Sequence, residues 1–208
     1  MHLRQLEAIP WYAFIIYWLI SASRLKRTKV EEDRSGRALH VLIMVAAVDL
    51  MFFGNLSFGI LNERVVPITV LTLYTGIALT WIGVAFAIWA RYTIGQNWSG
   101  RVTLKVDHQL IQVGPYARVR HPIYSGLLLA NLGAALFIGE WRCFLALVIF
   151  LVETSRKALK EESLMLSEFG DRYTEYRERA GFLIPKFRRS VGRQEPPVYR
   201  LESDNHQK

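Results

Sequence analysis

Apolar residues in this chain are not spread with the 3.6- or 2-residue periods of half-buried elements but gathered into blocks. Three are clear: Trp11 to Ser23, which is short unless its start extends back to Ile9; Leu39 to Leu61; and Pro67 to Ala90. Two shorter blocks follow, Pro122 to Ile138 and Trp141 to Leu151, with only Gly139 and Glu140 between them, which reads as a tight helical hairpin. About 20 apolar residues suffice for a helix to cross a hydrocarbon core. The pattern therefore predicts an all-α integral membrane protein of about five transmembrane helices.

Polar segments between the blocks complete the plan. Residues 1–92 read as N-terminal transmembrane helices. Residues 93–187 read as a second region that includes the last two spans, with a short extended cytoplasmic connector at 93–121 and an amphipathic helical region at 156–187. Residues 188–208, with Pro196, Pro197 and mixed charge, read as a solvated tail. In the connector, Val102, Leu104 and Val106, then Leu110 and Ile111, suggest two short extended pieces joined near Asp107 and His108 as a hairpin or an extended loop.

Charge orients the plan. With an external N-terminus, residues 24–38, 91–121 and 156–208 hold 6, 5 and 12 of the 26 Lys and Arg residues, leaving only Arg4, Arg64 and Arg142 outside. Basic residues accumulate in cytoplasmic loops, so the net charge of +8 belongs to one membrane face and implies membrane lipids, not nucleic acid, as its partner. Trp11, Tyr12, Trp89, Tyr92 and Trp141 fall near predicted span ends, where amphipathic rings sit. The first block is read as a retained helix and not a signal peptide, because Arg24, Lys26, Arg27 and Lys29 follow it while only Arg4 precedes it.

The sole cysteine, Cys143, excludes an intrachain disulfide, and histidines at 2, 40, 108, 121 and 206 show no metal-ligand spacing, so no metal is expected. No glycine-rich nucleotide fingerprint or phosphate loop occurs. Asp49 lies mid-span, where an ionisable group is a functional candidate by default, or it pairs with a polar residue of a neighbouring helix such as Asn131. Asn55 reads as another interhelical hydrogen-bonding residue.

Candidate chemistry concentrates in two places. Gly114 to Gly126 reads Gly-Pro-Tyr-Ala-Arg-Val-Arg-His-Pro-Ile-Tyr-Ser-Gly, setting Arg118, Arg120 and His121 against the start of the fourth span. Proline is tolerated in the first helical turn, which puts His121 at or beside the N-cap, its imidazole facing the unpaired amides. Beyond the last span, Lys157 and Glu161 share a helical face, while Glu162 is rotated by about 100°. Singly, each of these residues has an ordinary structural explanation as a positive flank, helix starter, interfacial anchor or surface ion pair. Their conjunction points to a polar-ligand site at the membrane edge.

The combination Gly-Pro-Tyr-x-x-x-Arg-His-Pro-x-Tyr-x-Gly, then Glu161-Glu162, Phe169-Gly170-x-x-Tyr173-x-x-Tyr176 and Pro185, resembles the isoprenylcysteine carboxyl methyltransferase family, part of a wider group with the phospholipid N-methyltransferases. The similarity covers roughly residues 98–187. It implies an integral-membrane enzyme that transfers a methyl group from S-adenosyl-L-methionine, held near the cytoplasmic face, to a lipophilic acceptor from the bilayer, with no obligate protein partner. Carboxyl O-methylation of an isoprenylcysteine-like substrate is the leading expectation. Phospholipid amine N-methylation, an NADPH-dependent sterol-reductase-like activity and a non-catalytic scaffold or channel are the alternatives. By resemblance, His108, Gln109, Leu110, Ile111, Tyr116, His121, Pro122, Ile123, Tyr124 and Glu161 bind the cofactor, and Lys157, Glu161 and Glu162 are the catalytic candidates. Lys157 stands where the family places an arginine thought to meet the substrate carboxylate, and it lacks that residue's bidentate fork; whether it or the adjacent Arg156 meets the substrate is open. The compact size suits a multi-pass protein of a bacterial inner membrane.

Overall fold

The computed structural model describes residues 2–22, 28–31, 34–98, 103–105 and 109–186. Its elements are α1 (His2–Ala22), β1 (Thr28–Glu31), α2 (Arg34–Val48), α3 (Val70–Ile94), β2 (Thr103–Lys105), α4 (Pro122–Ile138), α5 (Trp141–Phe169) and α6 (Asp171–Arg179). Helices α1 to α5 follow the five apolar blocks in order. Among the described residues, one helix, Val70–Asn97, is long and apolar enough to cross a membrane by itself, whereas Ala38–Phe53 and Pro122–Ile138 are apolar but shorter. Large apolar side chains such as Leu19, Leu42, Leu71, Ile82 and Val148 remain exposed along these helices.

The frame is the antiparallel pair α3 and α4, which makes the most extensive helix contact in the protein. Glycines seven apart on each helix face one another: a Cβ on Gly76 would lie 2.8 Å from Gly133 O, and one on Gly126 would lie 2.6 Å from Gly83 O. The backbones therefore touch without intervening side chains, the close approach that small residues permit between apolar helices. Thr80, fully buried between them, donates to Gly76 O at 3.1 Å and Ala130 O at 3.3 Å.

Four expectations change. The second block does not run as one helix to Leu61: α2 ends in a π-turn at Asp49–Phe53, and Gly54, at φ 75°, returns its N–H to Asp49 O at 2.7 Å. Asp49 pairs with neither Asn131 nor another helix. Its carboxylate accepts from Asn55 Nδ2 at 2.7 Å and Leu56 N at 2.9 Å, closing that turn, while Asn131 donates to Leu127 O within α4. Asn55 is accordingly a local turn residue and not an interhelical one. The fifth block does not end near Leu151, because α5 runs unbroken to Phe169 and turns only at Gly170, φ 50°.

The extended connector is also paired differently. β2 runs antiparallel to β1 and no strand forms at Leu110 and Ile111, so the hairpin partner is Thr28–Glu31, whose alternation offers an equivalent edge. Far from the connector, Arg142 is buried at the α4–α5 turn, with Glu140 Oε2 at 2.6 Å and Leu50 O at 2.6 Å satisfying its guanidinium. That end of the bundle is tied by these ionic and carbonyl contacts beside a separate pocket that Arg142 and Glu140 line, and the cleft described below lies among other residues.

Candidate functional site

Gly114, φ 59°, opens a short 3₁₀ turn at Gly114–Ala117 that drops Pro115 and Tyr116 into the interior. Pro122 then starts α4 at its first turn with His121 as N-cap residue. The His121 imidazole does not cap the helix amides. Its Nε2 lies 3.2 Å from Glu162 Oε1 and its Nδ1 lies 3.7 Å from Glu161 Oε2. A carboxylate offers a stronger acceptor than the amide end offers a partner, and since it can only accept, Nε2 carries the hydrogen.

Glu161 and Glu162 diverge as their 100° separation requires. Glu161 faces a cleft and accepts the Tyr124 hydroxyl hydrogen on Oε1 at 2.8 Å. Glu162 is 3 % exposed and does not line the cleft. Its Oε1 accepts from Arg120 Nε at 2.6 Å, and Arg177 Nε stands 3.4 Å from Oε2. Burial works to raise the Glu162 carboxyl, but the hydrogen bonds from His121 and Arg120 and their positive charge outweigh it and hold the group below the ordinary glutamate range.

Arg120 extends this knot to the C-terminal strap. Its Nη1 donates to Ala180 O at 2.6 Å and Arg177 O at 3.2 Å. Backbone bonds run alongside, from Arg120 N to Gly181 O at 2.8 Å, His121 N to Phe182 O at 3.2 Å and Gly181 N to Arg118 O at 2.9 Å. Ser125 adds a bond to Leu183 O at 2.6 Å, and Tyr176 donates to Tyr116 O at 2.7 Å. The Arg-His-Pro segment, α5, α6 and the strap are thereby locked together around the cleft.

The cleft is a partly open cavity of about 130 Å³. Of the residues singled out in the sequence, Leu110, Ile111, Tyr116, His121, Ile123, Tyr124 and Glu161 line it. Gln109 and Pro122 do not: Gln109 is exposed, with its N–H 3.4 Å from Asn97 Oδ1, and Pro122 is buried in the first turn of α4. His108 lies outside the described residues. Lys157 stands beside the cleft, its Nζ 5.8 Å over the Tyr124 ring, and Arg156 turns away to Glu153 Oε1 at 3.0 Å.

Asn97, Trp98, Met165, Tyr173 and Tyr176 also line the cleft and were not foreseen. Met165 enters from α5 and Tyr173 and Tyr176 from α6, beyond the turn at Gly170, and the spacing Tyr173-x-x-Tyr176 was the legible sign of a shared face. Trp98 is held by a buried cation: Arg91 Cζ is 4.5 Å from its ring and 5.9 Å from Trp18, while Arg91 Nη1 and Nη2 bond Gly95 O at 2.8 Å and Ser21 O at 3.0 Å. Burial raises the phenols of Tyr116, Tyr173 and Tyr176 well above their usual range, so all three are neutral hydroxyls. The cleft is thus a mainly aromatic and aliphatic chamber with Asn97, Arg120 and His121 in its walls and, among the described residues, one lining carboxylate, Glu161.

Comparisons with known proteins agree with this architecture. The model of the isoprenylcysteine carboxyl methyltransferase family matches residues 76–168. The protein-S-isoprenylcysteine O-methyltransferase of Schizosaccharomyces pombe is 29 % identical over 161 residues, covering 73 % of this chain and 68 % of that one. That of Tribolium castaneum is 31 % identical over 116 residues, covering 53 % and 40 %. A probable protein-S-isoprenylcysteine O-methyltransferase of Oryza sativa subsp. indica is 28 % identical over 115 residues, covering 54 % and 60 %. The chain thus spans 40–68 % of the length of these relatives. A solved eukaryotic intramembrane Ras methyltransferase, an isoprenylcysteine carboxyl methyltransferase, shares the fold at a TM-score of 0.55 and 22 % identity, covering 86 % of this chain and 67 % of that one. With His121, Tyr124, Glu161 and the closing helix gathered on one cleft, the chain is similar in sequence and in fold to proteins of the isoprenylcysteine carboxyl methyltransferase family.

Proposed function

We propose that this protein is a multi-pass membrane enzyme that methylates the carboxylate of an isoprenylcysteine-like acceptor, with S-adenosyl-L-methionine bound in the cleft at the basic end of the bundle. The observation that carries the reading is the convergence of Glu161, Tyr124 and His121, with Arg120 and Asn97, on a chamber otherwise walled by aromatic and aliphatic side chains. That donor set fits a cofactor with one amino acid head and one flat ring. Glu161 offers a charged acceptor for an ammonium or hydroxyl, and Tyr116, Trp98 and Tyr124 offer faces for stacking and for a cation.

S-adenosyl-L-methionine supplies a sulfonium methyl that passes to a carboxylate oxygen as the S–C electron pair returns to sulfur, with no proton moved. The protein's task is then to align the partners and exclude water. Tyr124 and His121 hold Glu161, and the knot at Glu162 holds His121. A carboxylate acceptor needs no general base, and Glu162, committed to Arg120 and His121, is not free to be one. The same commitment counts against the amine acceptor, which must lose a proton before attack. We assign Glu162 a positioning role.

Exposed leucine, isoleucine and valine on α1, α2, α3 and α5 support the membrane setting, since faces of this kind need a hydrocarbon partner. The charge placement in the sequence supports the reading of five spans with the cleft on the cytoplasmic side. Isothermal titration calorimetry on the detergent-purified protein tests the cofactor: saturable binding of S-adenosyl-L-methionine and none of NADPH is expected. Heat from NADPH alone would overturn the assignment in favour of a reductase.

A further inference from the structure

The pocket beside Arg142 and Glu140 is a partly open recess of about 460 Å³ that shares no lining residue with the cleft. Basic residues gather on the cytoplasmic face of a membrane protein, and the charge plan leaves three of them outside: Arg4, Arg64 and Arg142. Far apart in sequence, all three line this one recess. The exceptions to the charge rule therefore form a single site.

Backbone bonds build it. Val65 N and Val66 N both donate to Gly139 O, at 2.8 Å and 3.1 Å, and Trp141 N donates to Glu63 O at 3.1 Å, so the segment leading into α3 is fastened to the α4–α5 turn. A Cβ on Gly139, φ 75°, would lie 2.8 Å from Arg64 Nη2, so the guanidinium lies across bare backbone. Arg142 is matched by Glu140 at 2.6 Å, and the other lining acid, Glu7, is 8 % exposed and accepts from Trp11 Nε1 at 3.1 Å. Among the described residues, the guanidinium groups of Arg4 and Arg64 take no hydrogen bond or ion pair. Three arginines against two glutamates leave one positive charge in excess, and the two uncommitted forks match the oxygens of a phosphate. Ile68, Leu73 and Phe137 make the adjoining walls apolar.

Resting on the membrane setting proposed above and not on methyl transfer, we propose that this recess binds the headgroup of an anionic phospholipid in the non-cytoplasmic leaflet. Its phosphodiester lies between Arg4 and Arg64, and its acyl chains lie against Ile68, Leu73 and Phe137. The apolar walls favour a lipid over a free phosphate. The excess charge favours an anionic headgroup over a zwitterionic one.

The test is native mass spectrometry of the full chain in mixed micelles titrated with dioleoyl phosphatidylglycerol or dioleoyl phosphatidylcholine. The first phosphatidylglycerol is expected to bind about fivefold tighter than phosphatidylcholine, the scale of one basic side chain beside anionic lipid. Arg4→Gln and Arg64→Gln each weaken that binding about fivefold, and the pair roughly 25-fold. Glu7→Gln keeps an oxygen for Trp11 and tightens it about fivefold, a gain that misfolding does not produce. Unchanged unfolding temperatures show that the variants are folded. Equal retention of the two lipids, or a phosphatidylglycerol Kd unmoved in the double arginine variant, overturns the site. Displacement of the lipid by millimolar inorganic phosphate overturns it in favour of a free anion. Protein that stays monodisperse without detergent overturns the membrane setting and the site with it, whereas cofactor binding and methyl transfer can fail with the site intact.

Discussion

Tyr124, in the first turn of α4, gives its hydroxyl hydrogen to Glu161 of α5 across the floor of the cleft at 2.8 Å. The bond fixes the carboxylate's outer oxygen while its other oxygen stays within 3.7 Å of His121 Nδ1. Removing the acid removes the cleft's inward negative charge. Glu161→Ala is expected to weaken S-adenosyl-L-methionine binding roughly 10- to 150-fold, the ~1.5–3 kcal/mol of a hydrogen bond to a charged group. Tyr124→Phe leaves the charge in place and costs about threefold to tenfold. Calorimetric titration of both variants measures the order of the two effects.

Glu162 sits at the centre of a buried ion knot with Arg120, whose side chain is 9 % exposed against 4 % for Glu162. Glu162→Ala strands the Arg120 guanidinium and is expected to destabilise the protein by about 3–5 kcal/mol. Thermal unfolding followed by circular dichroism reports the loss.

The same residue sets an acid limit. Its carboxyl is held below the ordinary range in the folded protein, so the unfolded chain takes up a proton first as pH falls. The stabilisation is present in full above the unfolded glutamate's pKa and is lost as pH drops through the lowered folded value. Unfolding temperature measured against pH should therefore fall in this acid window, and Glu162→Gln should show a smaller fall there.

Between α3 and α4 the contact is backbone on backbone. Gly126→Val places a branched side chain where even a Cβ would lie 2.6 Å from Gly83 O. Separation of the helices is expected to cost at least about 1–3 kcal/mol, the penalty of overpacking. A lowered unfolding temperature together with loss of a monodisperse elution profile is the expected result.

At the closing helix, Tyr176 ties α6 to the Gly-Pro-Tyr turn through Tyr116 O at 2.7 Å. Tyr176→Phe removes one buried bond and is expected to cost about 1 kcal/mol of stability. It also weakens cofactor binding, because Tyr176 is itself a wall of the cleft. Paired melting curves with and without S-adenosyl-L-methionine separate the two effects.

Local chemistry made part of this site readable beforehand. Pro122 announces a helix start, Tyr124 and His121 lie within a turn of it, and the adjacent glutamates must point about 100° apart. What stayed hidden depends on chain segments distant in sequence. Nothing near His121 foretells that its ring prefers Glu162 to the helix amides, a partner 41 residues away. Nor does the strap at Gly181 to Leu183 advertise that it pairs with Arg118 to Ser125. Trp98 read only as part of the connector, and the buried Arg91 that props it looked like one of many positive flanks. Asp49 misled for the opposite reason: its partners proved to be six and seven residues away, so a mid-block acid was closing a turn and not reaching across the bundle.

Methyl transfer itself tests the account most directly. Purified protein is incubated with S-adenosyl-L-methionine labelled on its methyl group and N-acetyl-S-farnesylcysteine, and base-labile methyl ester is counted. The account predicts ester formation by the unmutated protein and its loss in Glu161→Ala. Cofactor that binds yet yields no ester on the carboxylate, while a lipid amine becomes methylated, would contradict it.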